Sequence, residues 1–399
     1  MNKIFANLAR SAVATLLGLA AVHGARADVV TDWNDKACTI VAKLGPGVPG
    51  HRAMAVVQSA VLEAVHAVGP QRGAVEAAIA AANRATLLAL VPAEKAAIES
   101  AYQGAVAGLP EGEASAAGLA AGERAAARLL ARAAADGAAA PDRYQWTSAP
   151  GRYVPTVVPA AAQWPGRKTW LIDSAAQFRP GPPPELGSEL WARDLQEVRR
   201  LGERGSTQRT AAQTETARFW EETRPLVYFP LLRSVAEMPG RTVARNARLY
   251  AAAALANDDA LIAVFDAKYH HQFWRPIAAA RTTHRAGTAV AEAEPGWTSL
   301  VPTPLHPEYP CAHCVLAGAL AAVIDGELRG QDAPVLRTTS PSAPGVVREW
   351  RSTAAMVEEV KSARILGGVH FRHSTEVGAQ MGAAIGRLVQ QRLPGGAEH

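Results

Sequence analysis

Apolar positions recur at helical spacing through residues 52–137. Ala53, Met54, Val56, Val57, Ala60, Val61, Ala64 and Val65 share one helix face, with charged residues falling between such stripes. Pro92 ahead of Ala93-Glu94-Lys95 predicts a helix start, and the run Gly108 to Gly112 predicts a break. Two or three more helices are expected up to Ala135. The pattern then stops. From Ala138 to Leu186 the chain is crowded with Pro, Gly, Tyr and Trp, including Pro180-Gly-Pro-Pro-Pro-Glu185. This predicts a long irregular segment, ordered because its aromatic content sets it apart from a disordered linker. Helical spacing returns at Ser188 and marks Thr210 to Thr223, Thr242 to Ala267 and Cys311 to Ile324. No stretch alternates convincingly as a strand does. The expected fold is all-α: two packed helical bundles, over 28–137 and 188–395, joined by the irregular segment 138–187.

Composition narrows the partners. Of the 399 residues, 49% are hydrophobic and 19% charged, as in an ordinary globular chain. The net charge of +5 comes from scattered basic residues, with no Lys/Arg block interleaved with aromatics, so nucleic acid is not the expected partner. A mild positive balance suits a small anionic substrate. Residues 1–27 read as a signal peptide. Lys3 and Arg10 precede the apolar run Ala12 to Val22, and Ala25-Arg26-Ala27 offers a cleavage site before Asp28. The mature chain is therefore expected in the periplasm or outside the cell. After Asp28 no run of about 18 uninterrupted apolar residues occurs, so no membrane span is expected. No sequence element specifies an oligomeric state.

The cysteines are Cys38, Cys311 and Cys314, an odd count and no disulfide scaffold. Cys311-Ala-His-Cys314 is a C-x-x-C pair that could close in an oxidising compartment. Val315 stands where a c-type haem motif needs His, and no second C-x-x-C completes a zinc site.

Three basic clusters carry the candidate chemistry. Lys268 and Arg275 lie seven residues apart, almost two helical turns, and are expected on one helix face. They pair a compact ammonium with a planar donor fork, both suited to tetrahedral oxyanions. Pro276 biases Arg275 towards an extended conformation and marks a helix end. Pro310 can open a helix over the apolar run from Val315, presenting the amides of Cys311, Ala312 and His313 to an anion, with His313 placed for proton transfer. Arg364 and His370 flank Gly367-Gly368, which let the backbone turn. Each cluster alone also fits a surface ion pair or a buried, satisfied histidine. In one chain and in this order, they point to an oxyanion.

The order resembles the signature of the vanadium-dependent haloperoxidase and type 2 phosphatidic acid phosphatase superfamily: K-x6-R-P, then P-S-G-H, then R-x5-H. Lys268 to Pro276 and Arg364 to His370 meet the outer elements in full. Phe273-Trp274, Val369-His370-Phe371-Arg372, Asp28 to Asn34 and Phe178 to Pro184 resemble the secreted bacterial haloperoxidase branch, so the likeness covers most of the mature chain. The resemblance implies that His370 bonds vanadium, and that Lys268, Arg275 and Arg364 neutralise vanadate with help from the Cys311–Ala312 backbone. It implies that His313 is the acid–base group and that Lys268 polarises bound peroxide. The implied activity is oxidation of halide by hydrogen peroxide at His370-bound vanadate. Phosphate could take the same place, which implies the alternative of a periplasmic acid phosphatase acting on a phosphomonoester through a phosphohistidine at His370.

Two positions depart from the signature. Cys311 replaces the usual serine; a thiol donates weakly, and a thiolate there would repel vanadate. Ser374 stands where an aspartate often orients the histidine, leaving Glu376, Asp258 or Asp259 as substitutes. These changes also allow a third reading, an oxyanion-binding protein of weakened catalysis. Ala317 and Leu320 rule out the C-x5-R motif of a cysteine phosphatase. A divalent-metal site from His270, His271, His306, His313 and His373 lacks a recognisable ligand spacing.

Overall fold

The computed structural model describes residues 28–393; the leader read from residues 1–27 lies outside them. Five helices form the first bundle: α1 (Val29–Val41), α2 (Pro49–Val68), α3 (Arg72–Leu90), α4 (Lys95–Val106) and α5 (Glu113–Ala134). The Asp28 carboxylate caps α1 by accepting the Thr31 amide at 2.9 Å. Small residues let α3 and α5 approach closely: a Cβ on Gly118 would lie 2.2 Å from the Ala74 carbonyl oxygen. The stretch Gly73–Leu90 is long and apolar enough to cross a membrane by composition alone, yet most of it is buried, as in a core helix.

The second half contains α6 (Glu189–Gly202), α7 (Ala211–Phe219), α8 (Pro225–Tyr228), α9 (Pro230–Ala236), α10 (Val243–His271) and α11 (Pro276–Ala280). It continues with α12 (Ala312–Leu328), α13 (Thr353–Leu366) and α14 (Arg372–Arg392). At 29 residues α10 is the axis of the molecule. It packs on α2 of the first bundle and on α12 and α14 of the second, so one continuous hydrophobic core runs through both.

Two small antiparallel hairpins correct the expectation that no strands occur: β1 (His284–Ala286) with β2 (Ala289–Ala291), and β3 (Leu336–Ser340) with β4 (Ala343–Trp350). In β3 the residues alternate between buried and exposed, but two of the inward positions are Thr338 and Ser340. Thr338 satisfies its hydroxyl by donating to the Val227 carbonyl at 2.8 Å. The alternation is one of burial and not of hydrophobicity, which hid it.

The irregular segment between α5 and α6 is held by two buried carboxylates of α10. Asp258 accepts both ends of the Arg167 guanidinium, at 2.7 and 2.9 Å, and the Trp170 indole N–H at 2.7 Å. Asp259 accepts the amides of Trp170, Leu171 and Ile172 at 2.7–3.0 Å. Neither acid is free to serve elsewhere. The same segment reaches the end of α10: the Tyr153 amide donates to the Gln272 carbonyl at 2.8 Å, and the Trp274 amide to that of Gly151 at 3.0 Å.

Candidate functional site

Lys268 and Arg275 do not share a helix face. Helix α10 stops at His271, Gln272 is left-handed at φ 53°, and Arg275 is extended as the N-cap of α11. The turn swings Arg275 back beside Lys268, so that both reach the 306–310 loop. The Lys268 ammonium donates to the carbonyls of Pro307, Glu308 and Pro310 at 3.1, 2.8 and 2.5 Å. Those bonds use all three of its protons.

Arg275 is equally committed. Nε donates to the His306 carbonyl at 2.9 Å. Nη1 donates to the Val369 carbonyl at 2.9 Å and to His370 Nε2 at 3.2 Å. Nη2 donates to His306 Nδ1 at 3.0 Å and to the Pro307 carbonyl at 3.3 Å. A guanidinium can only donate, so His370 Nε2 is unprotonated and holds a lone pair.

Glu308 completes the assignment. Its Oε1 accepts from His370 Nδ1 at 2.7 Å and from the Phe371 amide at 3.1 Å. The ring is therefore the neutral tautomer with its proton on Nδ1. Burial and the Arg275, Lys268 and Arg364 charges hold the His370 imidazole well below its usual range. Burial pushes the Glu308 carboxyl up to about 7, against the pull of Arg275, Lys268, the Phe371 amide and the nearby Ser374 hydroxyl. Glu308 is the carboxylate expected four residues after His370, supplied from another element. Glu376, Asp258 and Asp259 do not take this role. The residue preceding Tyr309-Pro310 gave no signal in the sequence, because its partner lies 62 positions away.

Two backbone features aim His370. Gly367 closes α13, and Gly368 at φ 77° reverses the chain; a Cβ there would lie 2.3 Å from the Gly202 carbonyl oxygen. Behind this turn Trp191, Phe273, Trp274 and Phe371 form a separate aromatic core that fixes the two basic elements against each other.

The third element starts one residue later than expected. Cys311 is the N-cap of α12, and Ala312 is its first helical residue. The Cys311 amide is not available to an anion, because it donates to the Ser374 carbonyl at 3.2 Å. The amides of Ala312 and His313 remain in the first turn, where a helix has no internal acceptors for them. His313 Nε2 is buried without a partner. Burial and Arg364 hold the His313 imidazole well below its usual range, with the Glu221 carbonyl opposing them. Arg364 donates Nη1 to the Trp220 carbonyl at 2.6 Å and leaves Nε without a partner.

The outcome is a buried centre. Lys268, Arg275, Arg364, His313 and His370 are each 0–5% exposed. Among the described residues none of the three cations has a carboxylate within ion-pair distance. Lys268 and Arg275 face the buried carboxylate of Glu308, which is already bonded to His370, and the acid that acts on Arg364 is the exposed Glu221. Such an excess is costly unless an anion joins it. The broad surface depression between α6 and the β1–β2 hairpin is lined by none of these residues. Among the described residues no three His, Cys, Asp or Glu converge as a divalent-metal site. His270 and His271 contact each other, and His373 stacks on Tyr309.

A helical bundle that buries three cations around a neutral, carboxylate-bonded histidine defines the class: an all-α domain with a cationic centre. Residues 248–395, from within α10 through α14, match the family model of the VCPO second helical-bundle domain. That match covers the C-terminal part of the chain. Its fold is similar to the crystal structure of a bacterial vanadium-dependent iodoperoxidase, with 21% identity and a TM-score of 0.76. That match covers 92% of this chain and 96% of the other. It is also similar to bacterial vanadium-dependent chloroperoxidase structures. The apo form has 17% identity and TM-score 0.70, over 86% and 92% of the chains; the holo form has 16% and 0.69, over 89% and 92%. No curated protein sequence matches.

Proposed function

We propose that this protein is an exported vanadium-dependent haloperoxidase-like enzyme that uses hydrogen peroxide to oxidise halide. The observation carrying this reading is the unprotonated His370 Nε2 set among three buried cations that lack an acid of their own. The residues fit vanadate: a lone pair for the metal, an unpartnered guanidinium nitrogen on Arg364, and two amides at the start of α12.

Bound at His370, vanadate would supply the Lewis acidity that activates peroxide towards halide. The chain's own groups supply the rest. Glu308 holds the His370 tautomer and raises the basicity of Nε2. With His370 Nε2 taken up by vanadate, the Arg275 Nη1 donor now bonded to that nitrogen would be free for an oxyanion oxygen. Lys268 and Arg275 contribute charge while their other donors stay on loop carbonyls. Oxidation of halide by peroxide consumes a proton, and His313 is the group positioned to take and return one; its neutral form is ready to accept. Burial keeps bulk water from the centre.

The test is halide oxidation after reconstitution with vanadate. Turnover of iodide, bromide or chloride is expected, and its absence with all three refutes the reading. A second reading, acid phosphatase, is favoured by the same Glu308–His370 bond, which also suits a nucleophilic histidine. It expects hydrolysis of a phosphomonoester, inhibited by vanadate.

A further inference from the structure

Nothing in the haloperoxidase reading uses the sulfurs beside His313, yet the two are placed for chemistry of their own. The Cys311 and Cys314 sulfurs lie 2.7 Å apart, both fully buried, at the N-cap and first turn of α12. Cys311 Sγ also accepts the Cys314 amide at 3.3 Å, as a capping side chain does. Across from them α14 presses close: a Cβ on Gly378 would lie 2.6 Å from the Cys311 carbonyl oxygen and 3.2 Å from Cys314 Cβ. The pair is therefore held together from both sides. Cys38, the third thiol, is buried in α1 far along the chain, bonded to Asn34 and without a sulfur partner.

We propose that Cys311 and Cys314 are a peroxide-reactive dithiol, with Cys311 the attacking sulfur and Cys314 the resolving one. The two differ in the way such a pair requires. Burial would raise the Cys311 thiol, but the bond from Cys314, the Arg364 charge, the Cys314 amide and Lys268 outweigh it and bring it below its ordinary value. Cys314 is pushed well above its own by burial and by Cys311. A helix N-terminus favours a thiolate at the cap over one inside the first turn. The unpartnered Tyr228 hydroxyl also lies beside the pair, and the Lys361 charge acts on Cys314.

The chemistry balances with hydrogen peroxide as the only oxidant. Cys311 sulfur attacks one peroxide oxygen, the O–O bond breaks, and the departing hydroxide takes the thiol proton as water. Cys314 sulfur then attacks the sulfenic sulfur, an S–S bond forms as the S–O bond breaks, and a second water leaves with the Cys314 proton. The dithiol loses two electrons and the peroxide gains them. This inference rests on the proposed function only in taking peroxide as a molecule that enters the centre.

The experiment uses the full, reduced chain free of vanadate and halide, so that no hypohalous acid forms. After hydrogen peroxide the thiols are counted under denaturing conditions and the peptides are mapped by mass. The three thiols of the sequence are expected to fall to one, Cys38, with Cys311 and Cys314 cross-linked and both restored by dithiothreitol. In Cys314→Ser, a sulfenic-acid trap is expected to label Cys311. Three intact thiols at a peroxide dose that oxidises free cysteine overturn the inference, as does loss of Cys38 in step with the others. The wild-type map decides alone if the variant fails to fold. Closure without halide oxidation in the reconstituted enzyme refutes the proposed function alone, and halide oxidation with three intact thiols refutes this inference alone.

Discussion

Replacing Glu308 separates what its carboxylate does for stability from what it does for His370. In Glu308→Ala the His370 Nδ1 proton and the Phe371 amide, bonded now at 2.7 and 3.1 Å, lose their acceptor inside a fully buried site. A buried donor left without a partner costs about 1–3 kcal/mol, so a total of roughly 2–6 kcal/mol is expected. Glu308→Gln keeps an acceptor oxygen for both donors. Its new amide replaces Oε2, which has no partner, and the Ser374 hydroxyl beside it is also unpartnered and able to accept. The remaining loss is the difference between a charged and a neutral hydrogen bond, on the order of 1 kcal/mol.

Ligand binding should fall further than stability in the glutamine variant. Removing the carboxylate behind a ligating histidine typically costs 10–100-fold in affinity, about 1.4–2.7 kcal/mol. Urea unfolding and vanadate calorimetry on wild type, Glu308→Gln and Glu308→Ala measure both quantities. The expected pattern is a near-native unfolding midpoint for the glutamine variant with vanadate affinity at least ~10-fold weaker. Wild-type affinity in Glu308→Gln would refute the claim that this carboxylate acts through His370. An alanine variant as stable as wild type would refute the weight given to the two bonds.

Three further outcomes follow from the packing and the ion pairs. Arg167→Met leaves Asp258 buried without its guanidinium, and the loss of unfolding free energy in urea should be about 3–5 kcal/mol, as for other buried pairs cut on one side. Burial alone would raise Asp136, but Arg52, the Ala138 amide and Arg167 hold it below the usual carboxylate range. A depressed carboxylate stabilises the fold above its unfolded pKa of about 3.9 and loses that contribution as pH falls through the folded value. Thermal unfolding of Asp136→Asn should therefore show a shallower decline than wild type below about pH 4. Gly382→Ala places a Cβ about 2.0 Å from the Val315 carbonyl oxygen, so α12 and α14 must part. Overpacking should cost roughly 1–3 kcal/mol, and phosphate binding by calorimetry should weaken with it because α12 carries His313.

The three basic elements were legible because each is a short contiguous string punctuated by Pro or Gly, and the structure brings all three to one buried centre. The long helices were legible from their apolar period. Glu308 was not: Gly367-Gly368 announced the turn before His370, but which loop meets that turn depends on the crossing of α12 over α14, which has no local sequence signature. Gly378, Gly382 and Gly386 do recur at helical spacing along α14, but a glycine stripe alone does not say which helix approaches it. The hairpin β3–β4 escaped because Thr338 and Ser340 point inward with hydroxyls.

A deeper limit concerns what a cation does. Sequence counts charges, whereas the fold allocates donors. Every N–H of Lys268 and Arg275 is spent on loop carbonyls or a histidine nitrogen, while Arg364 keeps Nε and the start of α12 keeps its amides. Charge acts through space as the inverse of distance, and a hydrogen bond demands a free donor within about 3 Å. Lys268 and Arg275 therefore make the centre attractive to any anion, and the geometry that selects a tetrahedral one falls to Arg364, Ala312 and His313. The signature's first element, the loudest in the sequence, is the one whose donors this fold spends on its own backbone.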